Sequence, residues 1–101
     1  MNYQDDVETL ERDDVDIIEP EDYSVIILND EVTTFELVIY ILKDIFHKSK
    51  KEAEELTMKV HVEGKAIAGT YTYDIALTKK NLSEDIAKKY GFPLKLEIER
   101  T

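Results

Sequence analysis

A strand that runs directly into a helix through an acidic turn constrains this chain more than any other stretch. Tyr23-Ser-Val-Ile-Ile-Leu28 is followed by Asn29-Asp30-Glu31-Val32-Thr33-Thr34-Phe35-Glu36. Val25 to Leu28 has the length and β-branching of a buried strand, and the Asn-Asp pair behind it favours a turn. Thr33 is placed to act as an N-cap, and Glu36, three residues on, would complete a capping box. Two carboxylates and an amide therefore gather at a strand-to-helix junction. Ionised Asp30 and Glu31 only accept hydrogen bonds, whereas Asn29 adds one carbonyl acceptor and two donors. Their complement is a small cation such as a protonated amine. The same residues also make an ordinary turn, and by themselves they leave both readings open.

Beyond the junction, Phe35, Val38, Ile39, Leu42, Ile45 and Phe46 recur at helical spacing, with a second row of Leu37, Ile41 and Ile45. This pattern predicts the most deeply buried helix. Ser49-Lys-Lys-Glu52 is another capping box, opening a second helix whose Ala53, Leu56, Thr57 and Val60 share the face turned to the first. At Gly64 the period changes. Lys65 to Tyr71 reads as a short strand, with Gly69 marking a bulge or a close backbone approach. Thr72 or Asp74 then caps a third helix, carried by Ile75, Leu82, Ile86 and Tyr90 and ended by Gly91 and Pro93. Leu94, Leu96 and Ile98 alternate with Lys95, Glu97 and Glu99 as in a strand with one buried face. The order β-α-α-β-α-β predicts an α+β two-layer sandwich, with three helices on a mostly antiparallel three-stranded sheet.

Charge divides the chain in two. Residues 1–22 hold ten of the 23 acidic residues and one base, Arg12, so this segment carries −9 of the net −10. It has too few large apolar residues to offset its ordering entropy, which predicts an acidic flexible tail over 1–22 and a folded core over 23–101. With a nearly neutral core, nucleic acid finds no basic surface. The chain contains no cysteine, which excludes disulfides and thiolate metal sites, and His47 and His61 stand at no metal-ligand spacing. No metal or other cofactor is expected. No apolar run reaches the roughly 20 residues that span a bilayer, so a cytoplasmic protein without membrane contact is expected.

Several separated motifs carry a resemblance. Tyr23-x-Val25-x-x-x-Asn29-Asp30-Glu31-x-Thr33, then Val60-His61-x-x-Gly64-Lys65-Ala66-x-x-Gly69-x-Tyr71-Thr72, then Pro93-Leu94 are similar, in order and spacing, to the ClpS family of protease adaptors. The resemblance covers residues 23 to 100. It implies an adaptor that binds proteins with a large hydrophobic amino-terminal residue, an N-degron. Such an adaptor hands them to the amino-terminal domain of a ring-shaped AAA+ unfoldase of the ClpA or ClpC type, coupled to the ClpP peptidase. It implies that Asn29, Asp30 and His61 hold the substrate's α-amino group. Glu31, Thr33, Phe35, Val38, Thr57, Val60 and Leu94 would form or border the side-chain pocket, and Asp74 and Lys79 would face the unfoldase. The protein would act as a monomer, with the tail engaging the unfoldase.

The chemistry agrees with that implication. A free α-amino group has a pKa near 8 and is mostly protonated at neutral pH, and His61 can accept from it only through a neutral ring nitrogen. Met is common in the family at the positions of Phe35 and Thr57, where this chain has a rigid ring and a short hydroxyl. The short Thr57 is expected to leave the pocket wider and wetter, so that an aromatic first residue outbinds Leu. A protein-interaction domain of the ribosomal-stalk type, without N-degron binding, is the alternative, but it has no use for an acidic pair beside a histidine. An enzyme built on His61 and Asp30 lacks a Ser or Cys nucleophile in a matching motif.

Overall fold

The computed structural model describes residues 22–101. The tail expected over residues 1–22 lies outside these except for Asp22, which opens the first strand. The elements are β1 (Asp22–Leu28), α1 (Phe35–Asp44), α2 (Lys50–Glu63), β2 (Lys65–Thr72), α3 (Tyr73–Lys89) and β3 (Leu96–Arg100). The sheet order is β2-β1-β3, and both pairings are antiparallel. The β-branched run of β1 thus becomes the central strand. Val25, Ile26 and Ile27 are buried there, and Val25 and Ile27 pack with Leu37, Ile41, Leu42, Ile45 and Phe46 of the α1 segment in one core.

β2 follows its partner with one interruption. Val25 pairs with Gly69 and Ile26 with Ile67, so Ala68 is the extra residue of a bulge. A Cβ at Gly69 would come within 2.7 Å of Cε2 and Cζ of Tyr71. Both expected uses of a strand glycine, the bulge and the close approach, coincide here.

Two details of the helices differ from expectation. The N-cap of α1 is Thr34, whose hydroxyl accepts from Leu37 N–H at 3.3 Å. Thr33 sits inside the Asp30 turn, where its N–H and its hydroxyl both donate to the carboxylate. The anticipated box with Glu36 therefore does not form, whereas the box of Ser49 and Glu52 closes at 3.1 Å in both directions. In α3, Ile86 of the expected row packs against the core, but the most deeply buried stripe lies one residue on from the rest. Ala76, Ser83 and Ala87 are inside, whereas Ile75, Leu82 and Tyr90 are about half exposed or more. Small side chains let this helix lie close on the sheet. A reading that seeks the largest apolar residues picks the neighbouring, outward row.

Candidate functional site

Four segments converge beyond the end of β1. The chain leaves the strand at Leu28, whose N–H donates to Lys95 O at 3.1 Å, and Asn29 N–H donates to Gly64 O at 2.8 Å. These two bonds tie the β1–α1 loop to the segment before β3 and to the end of α2. Gly64 can end α2 in the left-handed conformation, at φ 94°, because it carries no Cβ. The loop is thereby fixed beside the last turns of α2, which carry Thr57, Val60 and His61.

Within the loop Asp30 is the organiser. Its Oδ1 accepts from the N–H groups of Val32 at 2.8 Å and Thr33 at 2.6 Å, and its Oδ2 accepts from the Thr33 hydroxyl at 2.7 Å. Partial burial would raise its pKa, but the bonds from Thr33 N–H, the Thr33 hydroxyl and Val32 N–H outweigh this and hold it below 3.8. Asp30 is thus an anion at neutral pH, and its Oδ2 makes only one of these bonds. A carboxylate has about four lone-pair sites, so it can still receive a donor from outside.

The loop, α1 and α2 enclose a pocket lined by Leu28, Asn29, Asp30, Thr33, Phe35, Val38, Thr57, Val60, His61 and Leu94. Asn29, Asp30, Thr33 and His61 bring polar groups to the lining, and Leu28, Phe35, Val38, Val60 and Leu94 bring apolar ones. The sequence-based set is brought together here with one exception. Glu31 points no atom into the lining and is exposed, because the turn that Asp30 closes carries it outward. Leu28 joins the lining unforeseen. Its signal was its place directly before Asn29; strand alternation, which turns Val25 and Ile27 to the helices, would have put it on the other face.

Thr57 behaves differently from expectation. It is 3% exposed and its hydroxyl donates to Ala53 O at 2.7 Å, so the hydrogen is used within α2 and does not wet the wall. Nor is the pocket wide, with a cavity volume of about 20 Å³. Phe35, by contrast, is 43% exposed, and its ring meets the His61 ring edge to face at 5.2 Å and 69°.

The family profile described as ATP-dependent Clp protease adaptor protein ClpS matches residues 18–97. The chain belongs to the ClpS family. It is 46% identical over 77 residues to the ClpS adapter of Nautilia profundicola, covering 76% of this chain and 79% of that one. To the ClpS adapter of Campylobacter jejuni it is 44% identical over 77 residues, 76% and 80% of the two chains. Among solved structures, ClpS2 of Agrobacterium tumefaciens bound to L-phenylalaninamide superposes with a TM-score of 0.80 at 35% identity, covering 82% of this chain and all of that one. The α+β fold with its three-stranded antiparallel sheet is the ClpS fold, and the chain is an adaptor of the Clp protease rather than a catalyst.

The remaining pair of ClpS-like positions lies elsewhere. Asp74 is exposed in the first turn of α3. Lys79 is half-buried, its ammonium donating to Ile45 O at 2.6 Å and lying over the rings of Tyr71 at 5.2 Å and Phe46 at 5.9 Å. That contact supplies a cation to the C-terminal end of α1, where the backbone carbonyls carry partial negative charge. Among the described residues there is no cluster of three metal-ligating side chains, and no helix is long and apolar enough to cross a membrane.

Proposed function

We propose that this pocket receives the amino-terminal residue of N-degron proteins and that the chain delivers them to a AAA+ unfoldase coupled to ClpP. The observation that carries the reading is the mixed lining of one pocket. It joins the anion Asp30, the amide of Asn29 and the imidazole of His61 to the apolar Val38, Val60, Leu94 and Phe35. A protonated α-amine needs acceptors and a negative charge in a shielded place, and each charge-assisted bond contributes about 1.5 to 3 kcal/mol net. The large side chain on the same α-carbon then falls on the apolar wall. That the Agrobacterium relative is bound to L-phenylalaninamide, a free amine with an aromatic side chain, supports the same assignment.

Delivery involves other parts of the chain. Exposed Asp74 and the Lys79 segment face the unfoldase's amino-terminal domain, with Lys79 holding the end of α1 in place for that contact. Residues 1–22 engage the unfoldase once the adaptor is docked, and the adaptor acts as a cytoplasmic monomer. The test is binding of short peptides that differ only in a free or acetylated amino terminus. Free peptides with a bulky apolar first residue bind and acetylated ones lose most of their affinity. Equal binding of the two would refute the assignment.

A further inference from the structure

We propose that in the free adaptor the acidic segment 1–21 rests on a basic elbow between α1 and α2. The elbow is residues 43–51, where Lys43, Lys48, Lys50 and Lys51 stand against Asp44 alone, for a net +3. Residues 1–21 set nine acidic residues against Arg12, for a net −8. Lys43, Lys50 and Lys51 are exposed and Lys48 is half-buried, and the four ammonium groups make no hydrogen bond or ion pair among the described residues. Glu52, the next carboxylate along, accepts from Ser49 N–H in the capping box. Elsewhere Lys79, Lys80 and Lys89 are engaged by Ile45 O, Glu84 and the Tyr90 ring. Four like charges within nine residues repel one another, and an anionic partner turns that cost into attraction.

The backbone under these lysines is fixed. Ile45 and Phe46 are buried in the core, Lys48 N–H donates to Leu42 O at 3.0 Å, and His47 takes the left-handed conformation, at φ 56°, that turns the chain out of α1. The elbow therefore keeps its shape with or without an anion on it. It is a platform rather than a loop that must be ordered on binding.

The acidic segment joins the core at the same end of the molecule. Asp22 opens β1 opposite Thr72, and its neighbour Tyr23 is the cross-strand partner of Tyr71. The Tyr71 ring lies 6.3 Å from that of Phe46, the residue before His47. Two side-chain contacts thus separate the point of attachment from the elbow. Asp13, Asp14 and Asp16 precede Asp22 by six to nine residues, a length that extends up to about 20 to 32 Å, so their carboxylates reach the lysines. Covalent attachment holds the two at an effective concentration in the mM range, enough for contacts that are weak one by one. A separate polyanion approaches against a net charge of −10, whereas the chain's own anion is already beside the elbow. The contact rests on charge and reach, and it stands or falls apart from the function proposed above.

The chain has no cysteine, so Val15→Cys carries a single nitroxide label in the full chain. Amide spectra of isotope-enriched protein, taken with the label oxidised and then reduced, read which amides it approaches. At about 0.01 M salt, where the Debye length is about 30 Å, broadening should centre on residues 43–51, and it should fall away at about 1 M, where that length is about 3 Å. Each exposed ion pair shifts occupancy by roughly 1.4- to 5-fold. Combining Lys48→Glu, Lys50→Glu and Lys51→Glu should therefore cut the broadening by at least about threefold, and adding Asp13→Lys, Asp14→Lys and Asp16→Lys in that background should restore it. Acidic residues in the first turn of α2 are favoured by the helix dipole, so the reversed variant should fold, which its amide dispersion checks. Broadening that is absent at low salt, unchanged by the reversal or centred on Lys79–Lys80 or Lys88–Lys89 overturns the proposal. So does broadening carried between a labelled chain and a separate isotope-enriched one, which would place the segment on a second copy.

Discussion

Asp30 is asked to do two things, and a pair of substitutions separates them. Its carboxylate accepts three bonds from its own loop and, in the proposed function, pairs a substrate ammonium. Asp30→Asn keeps the first task. The amide oxygen accepts from Val32 and Thr33 N–H, and the amide nitrogen donates to the Thr33 hydroxyl, so the loop bonds survive as weaker neutral ones and folding stability should fall by less than in Asp30→Ala. It loses the negative charge, however, and exchanging a charge-assisted bond for a neutral one costs about 1 to 1.5 kcal/mol, or about 5- to 12-fold in peptide affinity. Asp30→Ala loses both. Removing one member of a buried charged pair costs about 2 to 5 kcal/mol of binding, or about 30- to 5,000-fold. Removing the loop cap costs about 1 kcal/mol of stability, which lowers Tm by about 4 to 8 °C in a domain of this size. Anisotropy titration with a free-amine peptide and thermal unfolding read the two effects separately. The pH dependence has a fixed sign. The folded pKa of Asp30 lies below 3.8, so its contribution is fully present above about pH 4 and is lost as pH falls through the folded value. Asp30→Asn should therefore unfold less steeply with acid below pH 4. An Asn variant that binds free-amine peptides as tightly as the unmodified protein would refute the argument that the charge recognises the amine.

Thr57→Met places a longer side chain into a pocket that has about 20 Å³ to spare; it should lower stability by about 1 to 3 kcal/mol and weaken peptide binding, and a gain in Leu-peptide affinity would contradict this. Gly69→Ala drives a methyl against the Tyr71 ring, and the shift of that ring from under Lys79 should cost about 1 to 3 kcal/mol in thermal unfolding. Lys79→Met removes the bond to Ile45 O and the contact with two rings; a loss of about 1.5 to 3 kcal/mol of stability with peptide affinity within twofold is expected, along with weaker docking on the unfoldase in a pull-down. A chain beginning at Glu19 should bind N-degron peptides normally and fail to promote degradation of an N-degron protein; full delivery would leave residues 1–18 without a part in handover.

What the sequence made legible followed from side chains that act locally. The β-branched run of β1, the Ser49–Glu52 box and the alternation of β3 each declare their backbone within a few residues, and their order was enough for the fold. The residues that line the pocket were legible through the resemblance and not through local chemistry, which left Asn29-Asp30 open as an ordinary turn. Asn29-Asp30 and His61 sit directly after a strand and near a helix end, places that β1 and α2 bring together through one backbone bond, Asn29 N–H to Gly64 O. The misreadings come from competition that only three dimensions resolve. Thr33 and Thr34 are both good cap residues by type, and the helix starts after Thr34 because Thr33 belongs to the turn that Asp30 closes through its N–H and hydroxyl.

The stripe of α3 shows the same logic in the core. Ile75 and Leu82 look like its buried residues because burial of large side chains usually stabilises most. Against a sheet the gain also depends on how near the helix can come, and Ala76, Ser83 and Ala87 allow a close approach that larger side chains would hold off. Ser83 remains tolerable at 0% exposure only because its hydroxyl donates to Lys79 O at 2.7 Å. The same close packing sets Lys79 within reach of Ile45 O, tying α3 to the far end of the helix whose first turn carries Phe35. The small residues of α3 therefore act on the site indirectly. They fix the distance at which α3 grips α1 through Lys79, and α1 in turn carries Phe35 and Val38 of the pocket lining.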